Sequence, residues 1–318
     1  MKKCLVLVLV FASMMGPLQA QEAWPARTVK LVVPSSPGGG TDVYARIIAQ
    51  GLSEALKQQF VVENRPGASG NIGAEAVAKA TPDGYTFLVS ANPALTVNPS
   101  LYRNLPYNAE RDFAPVARGV IAPMVIAIHS SVPARTLAEL IALGKREPGK
   151  WTFGSAGTGS PTYLGVRMLE EVTGARFLHV PYKGVGQAYQ DFLGGQLNFM
   201  FPDVASVLPH LRSGKVLALA VNERTSQLAS TPTFTDAGLL VDVFTSFSVV
   251  APAGTPAAIV ARLSAEIGKA MKSPSTAEKL NQLVLLPVFD TPAQFAASLK
   301  KERDGWAEFI RRNGIVPD

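Results

Sequence analysis

Leu31-Val32-Val33-Pro34-Ser35-Ser36-Pro37-Gly38-Gly39-Gly40-Thr41-Asp42 is the stretch on which the fold class turns. It begins as a continuous apolar run, the signature of a strand buried on both faces, and breaks into a glycine-rich turn. A helical pattern follows, with Tyr44, Ile47, Ile48, Gly51, Leu52 and Ala55 on one face. Phe60-Val61-Val62 reads as a second strand and residues 71–80 as a second helix. Thr86-Phe87-Leu88-Val89 is a third strand after the turn Pro82-Asp83-Gly84. A β-α-β-α-β order implies a parallel sheet with helices on both faces.

The same plan returns further along. Trp151-Thr152-Phe153 is a short strand, residues 154–161 a second glycine-rich turn, and Leu164, Met168, Leu169 and Val172 mark a helix face. Phe177-Leu178-His179-Val180 and residues 196–201 supply two more strands. The repeat is one of architecture more than of side chains. Residues 124–128 lead into the second unit and residues 244–250 lead out. Thr255-Pro256 and Thr291-Pro292 each read as an N-cap followed by proline at the first helical position. Phe295, Leu299, Trp306, Phe309 and Ile310 form the apolar side of a last helix, and the first sheet is the natural surface for it to cover. The expected architecture is α/β: two similar domains with mainly parallel sheets, a Venus-flytrap arrangement around an interdomain cleft. Domain 1 takes residues 24–123 and 250–318, and domain 2 takes 124–249.

Composition agrees. A chain of 318 residues suggests two domains, and 47% hydrophobic with 17% charged residues excludes a disordered chain. The net charge is +6, but no basic run appears, so a nucleic-acid partner is not expected. Two of those charges, Lys2 and Lys3, open a segment with the three parts of a secretory signal peptide. These are a positive start, a short apolar stretch over residues 5–15, and a helix break ending at Ala20. Residues 1–20 are therefore read as a cleaved leader and the mature chain as periplasmic. Cys4, the only cysteine, leaves with the leader.

Each glycine-rich turn lies between a strand and a helix, at the edge where α/β sheets bind ligands. Glycines admit a close backbone approach, and the first helical turn offers unpaired N–H donors and a positive dipole end. Such a turn also serves as a plain βα connection. Two of them facing one cleft favour an anion site. Neither turn fits a phosphate motif: the first has no P-loop lysine, and Thr162 stands where G-x-G-x-x-G needs glycine. Carboxylate is the preferred anion.

Enzyme signatures are weak. Gly67-Ala68-Ser69-Gly70-Asn71 lacks the last glycine of a nucleophile elbow. His129, His179 and His210 follow no metal spacing, so no metal and no cofactor are expected. Asp42 reads as a first-turn residue favoured by the helix dipole, or as a contact for a ligand amine or a water.

Several segments together resemble the Bug receptors, the solute-binding proteins of tripartite tricarboxylate transporters. They are Trp24-Pro25, residues 31–42, residues 63–73 and residues 82–86. Residues 98–102, Asp112-Phe113-Ala114-Pro115-Val116, residues 180–184 and residues 251–256 complete the match, which covers essentially the whole mature chain. The resemblance implies a two-domain receptor whose two βα loops pinch a carboxylate. Carried over, the first loop supplies Pro37, Gly38, Gly39, Thr41 and Asp42. The second supplies Ala156, Gly157, Thr158, Gly159 and Ser160. Ser90, Ala91 and Asn92, with Phe201, Pro202 and Asp203, follow the third strands and are expected to face the cleft. Tyr163 stands where relatives often carry histidine, and Phe247 where tryptophan is frequent; both departures bear on the ligand's distal group. The implied partners are a small carboxylate and membrane subunits of the transporter, with the receptor itself a monomer.

The leading expectation is a periplasmic receptor for a small mono-, di- or tricarboxylate, aliphatic or aromatic, serving uptake or sensing. The alternative is a hydrolase or other enzyme acting on such an acid in the same cleft. A third reading, the effector domain of a transcription regulator, conflicts with the leader and with the missing helix-turn-helix. The leader itself makes a prediction: N-terminal sequencing of protein from the periplasmic fraction should begin near Gln21, and a Met1 start there would refute cleavage.

Overall fold

The computed structural model describes residues 24–182 and 185–317; the leader assignment over 1–20 and the Lys183-Gly184 pair lie outside those residues. The first unit runs β1 (Val29–Val33), α1 (Gly40–Leu56), β2 (Phe60–Asn64), α2 (Asn71–Ala78) and β3 (Thr86–Ala91). Two short helices, α3 (Pro93–Thr96) and α4 (Asn98–Leu101), lead to β4 (Phe113–Ala122). The second unit holds β5 (Val125–His129), α5 (Leu137–Arg146), β6 (Thr152–Ser155), α6 (Pro161–Thr173) and β7 (Leu178–Pro181). It continues with α7 (Val185–Leu193), β8 (Phe199–Met200), α8 (Val204–Arg212) and β9 (Val216–Val221). The chain then returns through β10 (Thr245–Pro252), α9 (Ala257–Lys272), α10 (Pro274–Gln282), β11 (Leu286–Asp290) and α11 (Pro292–Arg312).

Two mixed sheets result, ordered β11-β4-β10-β3-β1-β2 and β7-β6-β8-β5-β9. The repeated parallel units are present: β1 pairs in parallel with β2 and β3, and β6 with β7 and β8. Antiparallel pairs enter where the chain changes lobe, through β10 against β3 and β4, and β5 against β8 and β9. Strand β10 pairs along its whole length with the first sheet, from Thr245 opposite Ala122 to Pro252 opposite Phe113. Residues 245–249, read from sequence as the exit of domain 2, thus belong to the first sheet. A buried apolar run does not say which sheet buries it.

Helix α11 differs from expectation too. Phe295 and Leu299 pack with Val32 and Leu88 under the first sheet, as predicted. Trp306, Phe309 and Ile310 pack instead with Leu164, Leu169 and Phe201 of the second lobe. Arg312 extends that contact to Glu171 at 2.6 Å. The final helix is a strap across both lobes. Thr291 caps it, its N–H donating to Gln294 Oε1 at 3.0 Å, with Pro292 in the first turn. The matching expectation at Thr255 does not hold. Its hydroxyl donates back to Pro252 O at 2.8 Å, and Pro256 occupies the cap position of α9.

Gly165 of α6 is where the second core is tightest. A Cβ there would meet the ring of the fully buried Phe201 at 1.9 Å. Gly165→Ala should destabilise the protein by about 1–3 kcal/mol, the cost of overpacking a filled core. Urea unfolding of wild type and variant measures it.

Candidate functional site

The two glycine-rich turns face one another between the lobes, but they are not chemically alike. In the first, Gly38 takes φ +83 and Gly39 forms the N-cap of α1 with no side chain capping it. The first-turn N–H groups have no acceptor within the helix. In the second, Gly157 takes φ +98, and Ser160 caps α6 by accepting from Tyr163 N. Pro161 removes one donor from that first turn. Ala156 N donates to Thr162 Oγ1 at 3.3 Å and Gly157 N to Ser155 Oγ at 3.1 Å. Much of the second turn's donor capacity is therefore spent on its own side chains. The open donor set is at α1.

An inner cavity of about 200 Å³ lies between the turns. Its walls include Ser35, Thr41, Ser90 and Asn98 from one lobe, and Ala156, Gly159 and Ser160 from the other. An outer cavity of about 340 Å³ adjoins it, sharing Ser69, Ala156 and Gly159 and adding Tyr102, Gly157, Thr158, Pro181 and Tyr182. No Lys, Arg, Asp or Glu of the described residues lines either space. The lobes meet closely here: a Cβ on Gly159 would stand 2.8 Å from Leu101 Cδ2.

Of the residues expected at the site, Thr41, Ser90, Ala91, Ala156, Gly157, Thr158, Gly159 and Ser160 line these cavities. Pro37, Gly38 and Gly39 are exposed on the adjoining loop and form no part of either wall. Asp42 turns away, accepting from Gly38 N at 2.9 Å, Asn64 Nδ2 at 2.9 Å and both arms of Arg46 at 3.0 Å. Burial pushes the Asp42 carboxyl up, but the hydrogen bonds and the charge of Arg46 outweigh it and hold it at about 2.

Four other residues depart from expectation. Asn92 points to the opposite side of the first sheet, where its side chain binds Phe244 O and Glu302. Phe201 is fully buried against Phe234 in the second core. Asp203 caps α8, accepting from Ser206 N at 2.8 Å. Tyr163 packs in a ring cluster with His179 at 4.6 Å and Phe153 at 6.2 Å, off the cavity walls. The period of a strand alternates faces, and each third strand ends in a turn, so the residues just past it cannot all point one way. Phe247 lies beneath the start of α1, its ring 5.9 Å from Tyr44.

Sequence reasoning did not assign Ser69, Asn98, Tyr102 and Tyr182 to the site, though all line it. The available signal was the pair of glycines around Ala68-Ser69, which follows a strand just as the two main turns do. Among the described residues, no hydroxyl–imidazole pair lies on the cavity walls. Ser155 Oγ lies 2.7 Å from His179 Nε2, yet Ser155 is fully buried and off the cavity walls, where it also accepts from Gly157 N. No cluster of three metal-ligating side chains occurs among the described residues.

The family model described as tripartite tricarboxylate transporter family receptor matches residues 44–315. Protein BugT of Bordetella pertussis is 35% identical over 321 aligned residues, covering 99% of this chain and 98% of that one. A solved structure of Rpa4515 from R. palustris with adipate superposes with TM-score 0.84 at 33% identity, covering 93% of this chain and 100% of that chain. MatC from Rhodopseudomonas palustris, with bound malate, superposes at 0.78 and 31% identity, covering 90% and 99%.

The Asp42 network carries its own prediction. A carboxyl held at about 2, against an ordinary 3.8, stabilises the fold fully above the ordinary value and loses that contribution as pH falls through 2. The contribution is about 2 kcal/mol. Denaturant unfolding at pH 5 and pH 2.5 should show the wild type losing more stability than Asp42→Asn, which lacks this titration; equal losses would refute it.

Proposed function

Because the chain belongs to the tripartite tricarboxylate transporter family of receptors, we propose that it holds a small carboxylate at the open start of α1, inside the cavity between its lobes. The chain is a solute-binding receptor and not an enzyme. The observation that carries the site is the uncapped first turn of α1 beside a cavity walled by hydroxyl groups and backbone. A carboxylate there meets N–H donors and the positive end of the helix dipole. The hydroxyls of Thr41 and Ser35 stand beside those donors.

This mode of holding an anion suits transport. A charge-assisted hydrogen bond contributes about 1.5–3 kcal/mol, and a few of them reach useful affinity without a permanent ion pair to break on release. The bound ligands of the two solved relatives, adipate and malate, support a carboxylate of small size for this chain. Cleavage of the leader would place the receptor in the periplasm, where the loaded, closed form meets the membrane subunits. No helix among the described residues is long and apolar enough to cross a membrane.

A thermal-shift screen of mono-, di- and tricarboxylates tests the reading. A ligand at a hundred times its dissociation constant should add about 2.7 kcal/mol. Gly159→Val should weaken the best ligand by roughly ten- to a hundredfold in calorimetry, because its side chain meets Leu101 as the lobes close. If no carboxylate shifts the melting temperature, the reading fails.

A further inference from the structure

A third cavity lies behind the crossing between the lobes, where Asn92 meets Glu302, and at about 470 Å³ it is larger than either cavity of the cleft. Ile121 of β4, Met168 of α6 and the rings of Phe244, Trp306 and Phe309 give it an apolar lining drawn from both lobes and from the strap α11. Ligand pockets have this make-up, apolar walls with a few polar groups converging on them. Several charges around it are already paired. Arg118 holds Asp290 at 2.8 Å and Glu302 at 3.4 Å, and Arg312 holds Glu171 at 2.6 Å and Glu308 at 3.1 Å. The unpaired groups fall on two walls. The crossing segments present Glu223, just past β9, and Asp242, shortly before β10, neither with an ion pair or hydrogen bond to a described residue. Helix α11 presents Lys301, equally unpaired, and Trp306. Trp306 is only 9% exposed, its ring edge-on to Phe309 at 5.7 Å. Its indole N–H meets no acceptor among the described residues and is not sealed by packing, so it opens onto the cavity. A buried indole N–H ordinarily has a partner.

We propose that this cavity is a second binding site, separate from the cleft, for a small zwitterion with an apolar body, the chemistry of an apolar amino acid. Its carboxylate accepts from the Trp306 N–H and faces the Lys301 ammonium, while its own ammonium faces Asp242 and Glu223. An acid alone would bring its charge toward those two carboxylates with nothing to offer them. An amine alone would leave the indole N–H without an acceptor. A zwitterion satisfies both walls with charge-assisted hydrogen bonds, and the ring-lined floor takes its body. The inference goes beyond the carboxylate reading of the cleft and does not rest on it.

Titration calorimetry with phenylalanine tests this, against 2-phenylethylamine, which keeps the ring and the ammonium but lacks the carboxylate. Wild type should bind phenylalanine and take the amine about tenfold or more weakly, because a site built to hydrogen-bond rejects the analogue that lacks the group. Asp242→Asn, Lys301→Met and Trp306→Phe should each lose about tenfold of the phenylalanine affinity. Asp242 and Lys301 are exposed, so those two variants carry the test even if Trp306→Phe unfolds. Gly159→Val, which alters the cleft, should bind phenylalanine as wild type does. Wild type that gives no heat with phenylalanine overturns the site. So does affinity unchanged in both Asp242→Asn and Lys301→Met, or affinity lost in Gly159→Val, which would put the amino acid in the cleft. Equal wild-type binding of phenylalanine and 2-phenylethylamine removes the carboxylate pole and overturns the zwitterion. None of these outcomes touches the carboxylate reading, which the acid screen decides.

Discussion

Asn92 ends β3 with a side chain that holds the crossing between the lobes. Its Oδ1 accepts from Ser246 N at 3.2 Å, and its Nδ2 donates to Phe244 O at 3.3 Å and to Glu302 Oε2 at 3.2 Å. Its backbone N–H donates to Ser246 O at 3.1 Å. One residue thus joins the strand that carries Ser90 and Ala91 to the cleft, the returning strand β10, and the strap helix α11. Glu302 passes the connection on to Arg118 of β4, at 3.4 Å, and Arg118 reaches Asp290 of β11 at 2.8 Å. All three charged side chains are largely buried, and losing one partner of a buried pair costs about 3–5 kcal/mol. Burial pushes the Glu302 carboxyl up, and the Asn92 hydrogen bond and Arg118 pull against it. The crossing between the lobes is therefore held by polar contacts on one face of the sheet, and Ser90 and Ala91 meet the inner cavity on the other.

That division accounts for the chemistry of the cleft. Among the described residues, Asp42 and Asp191 near it are engaged elsewhere. Asp42, which sits in the first turn of α1 and would repel an anion, is paired with Arg46 and turned toward Gly38 and Asn64. These contacts tie the Gly38 loop to the end of β2. Tyr182 is kept protonated, pushed up to about 12 by burial and by Asp191. The described residues give the cavities hydroxyls, backbone and apolar atoms, a neutral surface in which a dipole end would act on an anion with little screening.

The element order, both glycine-rich turns and the double crossing could be read from the sequence, because each rests on local signals: apolar runs, turn residues and helical periodicity. The resemblance named the family from short motifs spread along the chain. What could not be read depends on which surface a residue meets. Asn92, Phe201 and Asp203 follow strands at equivalent places, yet one ties β3 to the returning strand β10, one fills a core and one caps a helix. The apolar face of α11 has a single helical period, and nothing in that period says that Phe295 and Trp306 serve different cores. Ser69 sits in a segment that lacks the last glycine of a nucleophile elbow, so its motif points to no chemistry. Its left-handed φ, which puts it on the cavity wall, has no signature beyond the flanking glycines.

The two turns that look alike in sequence end by doing unlike work. Ser160 and Pro161 follow the second set of glycines, one capping α6 and the other lacking an N–H, whereas Gly39 and Gly40 leave the start of α1 bare. An anion drawn to the cleft therefore has one strong pole, on the first lobe. The second lobe contributes closeness, through Gly159 against Leu101, and a wall of backbone and hydroxyl that completes the enclosure. Attraction would come from one side and closure from the other. On the proposed reading an acid would engage its charged end on the first lobe before the second lobe tests the shape of the rest, so that described walls without a lining charge would still select among small acids.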